Sequence, residues 1–189
     1  MTTSATDIHP DYIAGTWKLD LTHSELAFTV RHLKITKVRG VFENFDVTVE
    51  TSASDPYAST VEATVDVSSV NTKVAARDNH LRTSDFFLVD THPTMTFRST
   101  SFEGDPASGE FTLGGDLTLR GVTQAVLLTG EFEGVVTDNY GNTKAGVTAS
   151  TKINRHDFGV SWNAALEAGG MTLGDDVSIE LNLQLVLQK

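Results

Sequence analysis

The stretch Asp175-Asp-Val-Ser-Ile-Glu-Leu-Asn-Leu-Gln-Leu-Val-Leu-Gln188 carries an aliphatic side chain at every odd position from Val177 to Leu187: Val177, Ile179, Leu181, Leu183, Leu185 and Leu187. The even positions read Ser178, Glu180, Asn182, Gln184, Val186 and Gln188. Successive side chains on a strand point to opposite faces, so the pattern predicts one long strand with a dry face and a wet face. A half-dry strand of this length belongs to an antiparallel sheet wrapped around an apolar interior. Function then lies in what fills that interior.

Working outward, the same period of two recurs. It is found at Thr16–Asp20, at Leu26, Phe28 and Val30, at Phe45, Val47 and Val49, and at Val61, Ala63, Val65 and Val67. Two registers meet near Gly40–Asn44, which predicts a bulge or kink. Met95, Phe97 and Phe102 open a further strand, and Glu110–Leu119, Val122–Thr137 and Lys144–Val160 follow. The turns fall at Thr22–Ser24, Ala53–Ser59, Gly104–Gly109 and Asp138–Asn142, the last two with hairpin chemistry. Gly114-Gly115 within a strand pattern predicts a bend. Lys73–Leu81 lacks alternation and predicts a short helix capped by Thr72 or Asn71, and Asn163–Ala168 predicts a second, stopped by Gly169-Gly170. About eight long strands and two short helices fit an up-and-down barrel or a sandwich. An eight-stranded barrel is filled by side chains or holds one small ligand, and periodicity leaves both open.

Composition narrows the functions available. A chain of 189 residues fits one domain. With 25 Asp+Glu against 14 Lys+Arg the net charge is -11, which disfavours nucleic acid and, unless a local basic patch intervenes, an anionic membrane surface. There is no Cys, so disulfides, thiolate nucleophiles and Cys-ligated zinc are excluded together. No apolar run approaches the roughly 20 residues that span a bilayer. Residues Met1–Pro10 have neither a basic nor an apolar leader pattern, so a cytoplasmic location is expected.

Chemistry-bearing motifs are few. His23, His32, His80, His92 and His156 form no His-x-His or His-x3-His pair, so no metal site is expected. There is no Gly-x-Ser-x-Gly, no Gly-x-Gly-x-x-Gly and no phosphate-binding Gly-rich loop. The adjacent His156 and Asp157 would face opposite sides of a regular strand. The densest charged cluster is Arg77, Asp78, His80, Arg82 and Asp85. It reads either as a solvated helix with pairs such as Asp78 with Arg82 or as a cap at a barrel mouth that meets a polar head group.

Four ordered segments carry a resemblance. They are Gly15-Thr-Trp-Lys-Leu-Asp-Leu-Thr-His-Ser24, continuing to Phe28-Thr-Val-Arg-His32 and Val38-Arg-Gly-Val-Phe42; Arg77-Asp-Asn-His-Leu-Arg-Thr-Ser-Asp-Phe-Phe87 with His92-Pro93; Gly115-Asp-Leu-Thr-Leu-Arg-Gly-Val-Thr123; and Ile153-Asn-Arg-His-Asp-Phe-Gly-Val160 with Leu173-Gly-Asp-Asp-Val-Ser-Ile179. Together they resemble the YceI-like family of lipid- or polyisoprenoid-binding barrels. Leu88 stands where an acidic residue often follows the paired Phe in that family, and Arg120 where His is common. Many members of the family are periplasmic and carry a signal peptide.

The resemblance implies an all-β, eight-stranded antiparallel up-and-down barrel, lipocalin-like, over residues 15–189 behind a flexible segment 1–14. It also implies a ligand, a polyisoprenoid lipid such as a prenyl quinone or a prenyl phosphate, carried or stored in an apolar tunnel. No catalytic residue and no catalytic cofactor are expected. The ligand contacts expected are Trp17, Phe28, Val30, His32, Phe42, Val65, Val67, Arg77, His80, Leu81, Phe86, Phe97, Phe158, Trp162 and Ile179. The aromatic members of that set read equally as core packing, because a tunnel lining and a core are chemically alike. Two alternatives stand beside the carrier: an enzyme acting on a lipophilic isoprenoid substrate, and a filled barrel serving as an interaction module. Homodimerisation stays open.

Overall fold

A computed structural model describes residues 9–105, 107–167 and 170–189. Its strands are β1 (Gly15–Leu19), β2 (Glu25–His32), β3 (Thr36–Phe42), β4 (Phe45–Thr51), β5 (Thr60–Asp66), β6 (Val70–Asn71), β7 (Thr94–Gly104), β8 (Glu110–Leu119), β9 (Val122–Thr137), β10 (Thr143–Asn154) and β11 (Leu173–Leu187). A single α-helix among the described residues, α1 (Ala75–Arg82), follows β6.

All pairings are antiparallel, and they make eight positions around a closed ring because three of the barrel's strands are each broken in two. β1 and β2 form the first position, separated by a 3-10 turn at Leu21–His23, and both pair with β11. β3 pairs with β2 and β4 with β1, while β5 and β6 continue against β4 and β3. β7 to β11 then follow as a meander. Trp17 opposite Leu187 and Leu19 opposite Leu185 close the ring. The chain is thus the antiparallel up-and-down barrel that the resemblance implies, one of the two architectures the alternation allows, and closure leaves little open sheet edge.

Several local expectations are corrected. The register change at Gly40–Asn44 is a corner at Glu43-Asn44 between β3 and β4, not a bulge within one strand. The bend expected at Gly114-Gly115 sits on the partner strand, where Thr100 is the extra residue between Ser99 and Ser101. α1 forms, but Val74 occupies its N-cap without a side-chain hydrogen bond. Neither expected cap residue serves: Asn71 Oδ1 accepts from the Lys73 backbone, and Thr72 gives its N–H, at 2.8 Å, and its hydroxyl to the buried Asp78 carboxylate. That use of Asp78 leaves no Asp78–Arg82 pair, and Arg82 instead donates to the carbonyls of Ser68 and Val70. The second helix is absent over residues 163–167, and Ala168 lies outside the described residues. Asn163 explains this, because its side chain takes the N–H of Leu173 and donates to the Leu173 carbonyl, competing with a helical backbone. His156 and Asp157 lie in a 3-10 turn (Arg155–Phe158) rather than on a strand.

Leu88 and Arg120, the two departures from the family pattern, both have left-handed backbones, with φ of 52° and 55°. That conformation is uncommon for residues other than Gly, Asn and Asp, so both turns hold a modest strain.

A polar clamp fixes the broken first position. Lys144 at the start of β10 lies 3.1 Å from Asp20, just after β1, and 3.6 Å from Asp138 in the β9–β10 turn. Partial burial pushes the Asp20 carboxyl up, but hydrogen bonds from His23, Lys144 and Gln184 outweigh it and hold the group down at about 2. Hydrogen bonds from the Asn142 side chain and backbone hold Asp138 at about 2 as well. Both carboxyls are lowered from an ordinary 3.8, so their stabilisation is complete above that value and is lost as pH falls from there through about 2. Lys144→Met should flatten the acid limb of a stability-against-pH curve in that window while leaving the curve's shape near neutrality unchanged. Denaturant midpoints at a series of pH values check this, and a parallel downward shift at every pH would contradict it.

Candidate functional site

The inward phase of the strands does not fill the barrel. On β10 the inward positions are small, Ala145, Val147 and Ala149, and β5 contributes Val61, Ala63 and Val65. Beside β10 stand Ile179, Leu181, Leu183 and Leu185 of β11, members of the odd-position series. Small side chains facing one another across an eight-stranded barrel leave space that branched or aromatic residues would occupy. The space is a cavity of about 280 Å³. Two glycines bring aromatic rings against its wall. A methyl group at Gly115 would lie 2.3 Å from a Phe97 ring carbon, and one at Gly130 would lie 2.5 Å from a Phe111 ring carbon.

The cavity is blind. Its inner end is reached at Leu26, Val65, Met95 and Leu117, beyond which Phe42, Val67, Val70, Leu119 and Phe158 pack with the partly buried Phe28, Leu81, Phe87 and Ile153 as a solid plug. Phe158, Val67 and Val70 are almost completely buried, each stabilising the plug by roughly 1.5–3 kcal/mol. The other end reaches the surface among Asp11, Ile13, Tyr57, Asp105 and Glu110, all exposed.

Part of the N-terminal segment expected to be flexible lies across this mouth, in residues 9–14. Tyr12 donates its hydroxyl to the Ser52 carbonyl at 2.7 Å, Thr51 and Trp17 both donate to the Ile13 carbonyl, and the His9 ring meets Phe132 edge-on at 4.9 Å. Tyr57, Phe102 and Phe111 form an aromatic lip, with ring centroids 6.4 and 5.7 Å apart in sequence. No Lys or Arg lines the cavity among the described residues.

Of the fifteen contacts expected from sequence, Trp17, Val65, Phe97 and Ile179 line the cavity. Phe42, Val67 and Phe158 are buried in the plug, and Phe28 and Leu81 pack against it. Val30 and His32 lie on β2 past Leu26, beyond the cavity's inner end. Arg77, His80, Phe86 and Trp162 lie at the closed end as well. The charged cluster therefore does not stand at the mouth, because the chain enters α1 directly from β6 at the plugged end. Its groups are engaged locally. Arg77 donates to the Thr72 hydroxyl at 2.7 Å and to the Thr72 carbonyl at 2.8 Å. His80 Nε2 lies 2.8 Å from Asp85, and its ring meets those of Phe86 and Trp162 edge-on at 5.0 and 4.9 Å. Arg155 is buried, donating to the carbonyls of Gly174, Val160 and Trp162, and burial lowers its basicity although Asp175 opposes this. Among the described residues no cluster of three His, Asp or Glu could hold a metal ion.

The lining residues not anticipated, such as Val47, Met95, Phe111, Phe132 and Leu183, share one signal: each occupies the inward phase of its strand. Following that phase around every strand, with attention to the small residues Ala63, Ala145 and Ala149, identifies the wall. The mouth residues Tyr12 and Tyr57 lie outside regular strands, where no periodicity exists to place them.

Comparison with known proteins agrees with this architecture. A family model, the YceI-like domain, matches residues 17–185. The chain belongs to the YceI-like family. A UPF0312 protein of Staphylococcus aureus (strain N315) is 39% identical over 171 residues, covering 90% of this chain and 96% of the relative. The Campylobacter jejuni YceI protein superposes with a TM-score of 0.70 at 28% identity, covering 84% of this chain and 90% of its own. A polyisoprenoid binding domain from Saccharophagus degradans superposes at 0.68 with 17% identity, covering 91% and 98%, a likeness of fold.

Val65→Phe should fill the inner end of the cavity at little cost in stability, since the ring enters open space rather than a packed core. Binding of an environment-sensitive apolar dye should fall severalfold while the thermal midpoint holds. Undiminished dye binding would show that Val65 does not bound the binding space.

Proposed function

We propose that this protein binds a long-chain polyisoprenoid lipid, with the tail buried in the blind cavity and the head at the mouth, and that it carries or stores the lipid in this form. The observation that supports this most directly is the lining: a deep, almost wholly apolar space inside an acidic, water-exposed barrel. Such a space gains by taking hydrocarbon out of water. Each isoprene unit adds five carbons, or roughly 4 kcal/mol gross at ~0.8 kcal/mol per carbon, offset in large part by ordering of the chain and loss of translational freedom. Affinity therefore rises with tail length until the tail meets the floor at Leu26, Val65, Met95 and Leu117.

The mouth discriminates between the two head groups. Asp11, Asp105 and Glu110 surround it with no lining Lys or Arg among the described residues, so a prenyl phosphate would be repelled and a neutral head is favoured. The aromatic lip of Tyr57, Phe102 and Phe111 offers a flat quinone ring apolar faces to pack on. Carriage is favoured over conversion because the three His–Asp pairs among the described residues, His23 with Asp20, His80 with Asp85 and His156 with Asp175, all stand outside the cavity.

Solvent extraction of the purified protein followed by mass spectrometry should release a stoichiometric isoprenoid lipid. Delipidated protein should then bind prenyl quinones more tightly as the tail lengthens, to a plateau. Asp105→Lys with Glu110→Lys should improve binding of a prenyl phosphate relative to the quinone by at least tenfold, each nearby exposed charge being worth on the order of 1 kcal/mol. Failure to bind any isoprenoid would overturn the function. Equal affinity of the unaltered protein for phosphate and quinone of the same tail length would overturn only the head-group assignment.

A further inference from the structure

The β2–β3 hairpin departs from the rest of the chain in charge. From Leu26 to Phe42 there is no Asp or Glu, while Arg31, Lys34, Lys37 and Arg39 all fall within nine residues, in a protein whose net charge is -11. Arg39 is tied to Glu25. Arg31, Lys34 and Lys37 are exposed and enter no ion pair among the described residues.

The tip of the same hairpin is apolar. Ile35 is 78% exposed, Leu33 36%, and Met171 51%. Met171 is brought to this corner because the Leu33 N–H donates to the Thr172 carbonyl at 2.7 Å. The turn itself is strained: Leu33 and Lys34 have φ of 53° and 60°, a pair of left-handed residues that Gly or Asn would adopt at lower energy. Lys37 and Arg39 on β3 also discourage strand addition at an open edge, which accounts for their charge. It does not account for a large aliphatic side chain held almost wholly in water at the tip.

We propose that this tip is a docking surface for an anionic lipid bilayer. Ile35, Leu33 and Met171 enter the interface, and Arg31, Lys34 and Lys37 lie among the acidic head groups. Exposed aliphatics flanked by cations are the composition that such a surface recognises. The carboxylates of the same end include Asp78, Asp85, Asp157, Glu167, Asp175 and Asp176, of which Asp78 is buried against Thr72 and Asp85 faces His80. Asp175 is engaged by Arg155 at 3.7 Å and by His156 at 2.9 Å, and none of these carboxylates belongs to the β2–β3 hairpin, whose tip is charged by cations alone. Docking here is a tether and not a transfer port. The cavity takes no lining from β2 beyond Leu26, so the tip stands at the plugged end and the mouth faces away from the membrane. The proposal is independent of what the cavity holds.

Co-sedimentation with vesicles tests it. The protein should sediment with phosphatidylcholine–phosphatidylglycerol vesicles and not with phosphatidylcholine alone, and high salt should release it. Lys34→Glu with Lys37→Glu should lower partitioning at least tenfold, each basic residue near such a surface contributing roughly fivefold. Ile35→Ser should lower it while leaving the salt dependence in place. All three positions are exposed, and circular dichroism verifies that the variants fold. Loaded and delipidated protein should bind alike. Absence of binding to anionic vesicles at low salt, or indifference to the charge reversals, overturns the proposal. So does a dependence on bound ligand, which would place the docking surface at the mouth, or preferential binding of duplex DNA or an acidic peptide over vesicles.

Discussion

β11 hydrogen-bonds to both halves of the first barrel position, through Leu185–Leu187 to β1 and through Val177–Asn182 to β2. This one long strand converts a meander into a ring, and the interior exists only because the ring is closed. An open sheet with the same inward residues would collapse onto itself or onto a partner to bury them. Closed, its strands are held apart by their own ladders, so small residues such as Ala145 and Ala149 face empty space. The polar clamp of Asp20, Lys144 and Asp138 acts at the weak point of this closure, where the first strand breaks between β1 and β2.

The fold was largely legible in the sequence because antiparallel strands with one wet face impose a period of two that no other structure imitates. β8 and β9 begin and end where alternation and turn chemistry place them, at Glu110–Leu119 and Val122–Thr137. What escaped reading depended on single side chains competing for the backbone. Asn163 satisfies Leu173 and removes a helix that its neighbours' propensity favours, and Asp78 turns inward to Thr72 instead of outward to Arg82. Such choices are decided by three-dimensional neighbours, which propensity does not contain.

The site was legible in kind and less so in detail. Ile179 to Leu185 of the odd-position series on β11 proved to form one wall of the cavity, yet five of the conspicuous aromatics, Phe28, Phe42, Phe86, Phe158 and Trp162, and the charged run from Arg77 to Asp85 gather at the plugged end. Density of interesting side chains marks where the barrel is plugged, since a plug needs bulk and a covering helix needs polar anchors. Empty space is marked by small and unremarkable residues. A cavity is therefore written in what a strand omits from its inner face.

The plug at Phe42, Val67 and Phe158 also governs traffic. A bore sealed at one end admits a long molecule only as water leaves past it through the same opening, and the segment that enters first is the last to leave. No newcomer can push an occupant out from behind, so exchange passes through an empty barrel. Departure then becomes a property of the occupant alone, with a lifetime indifferent to how much competitor surrounds the protein. For the lipid proposed above, that lifetime would be set by the length of its tail.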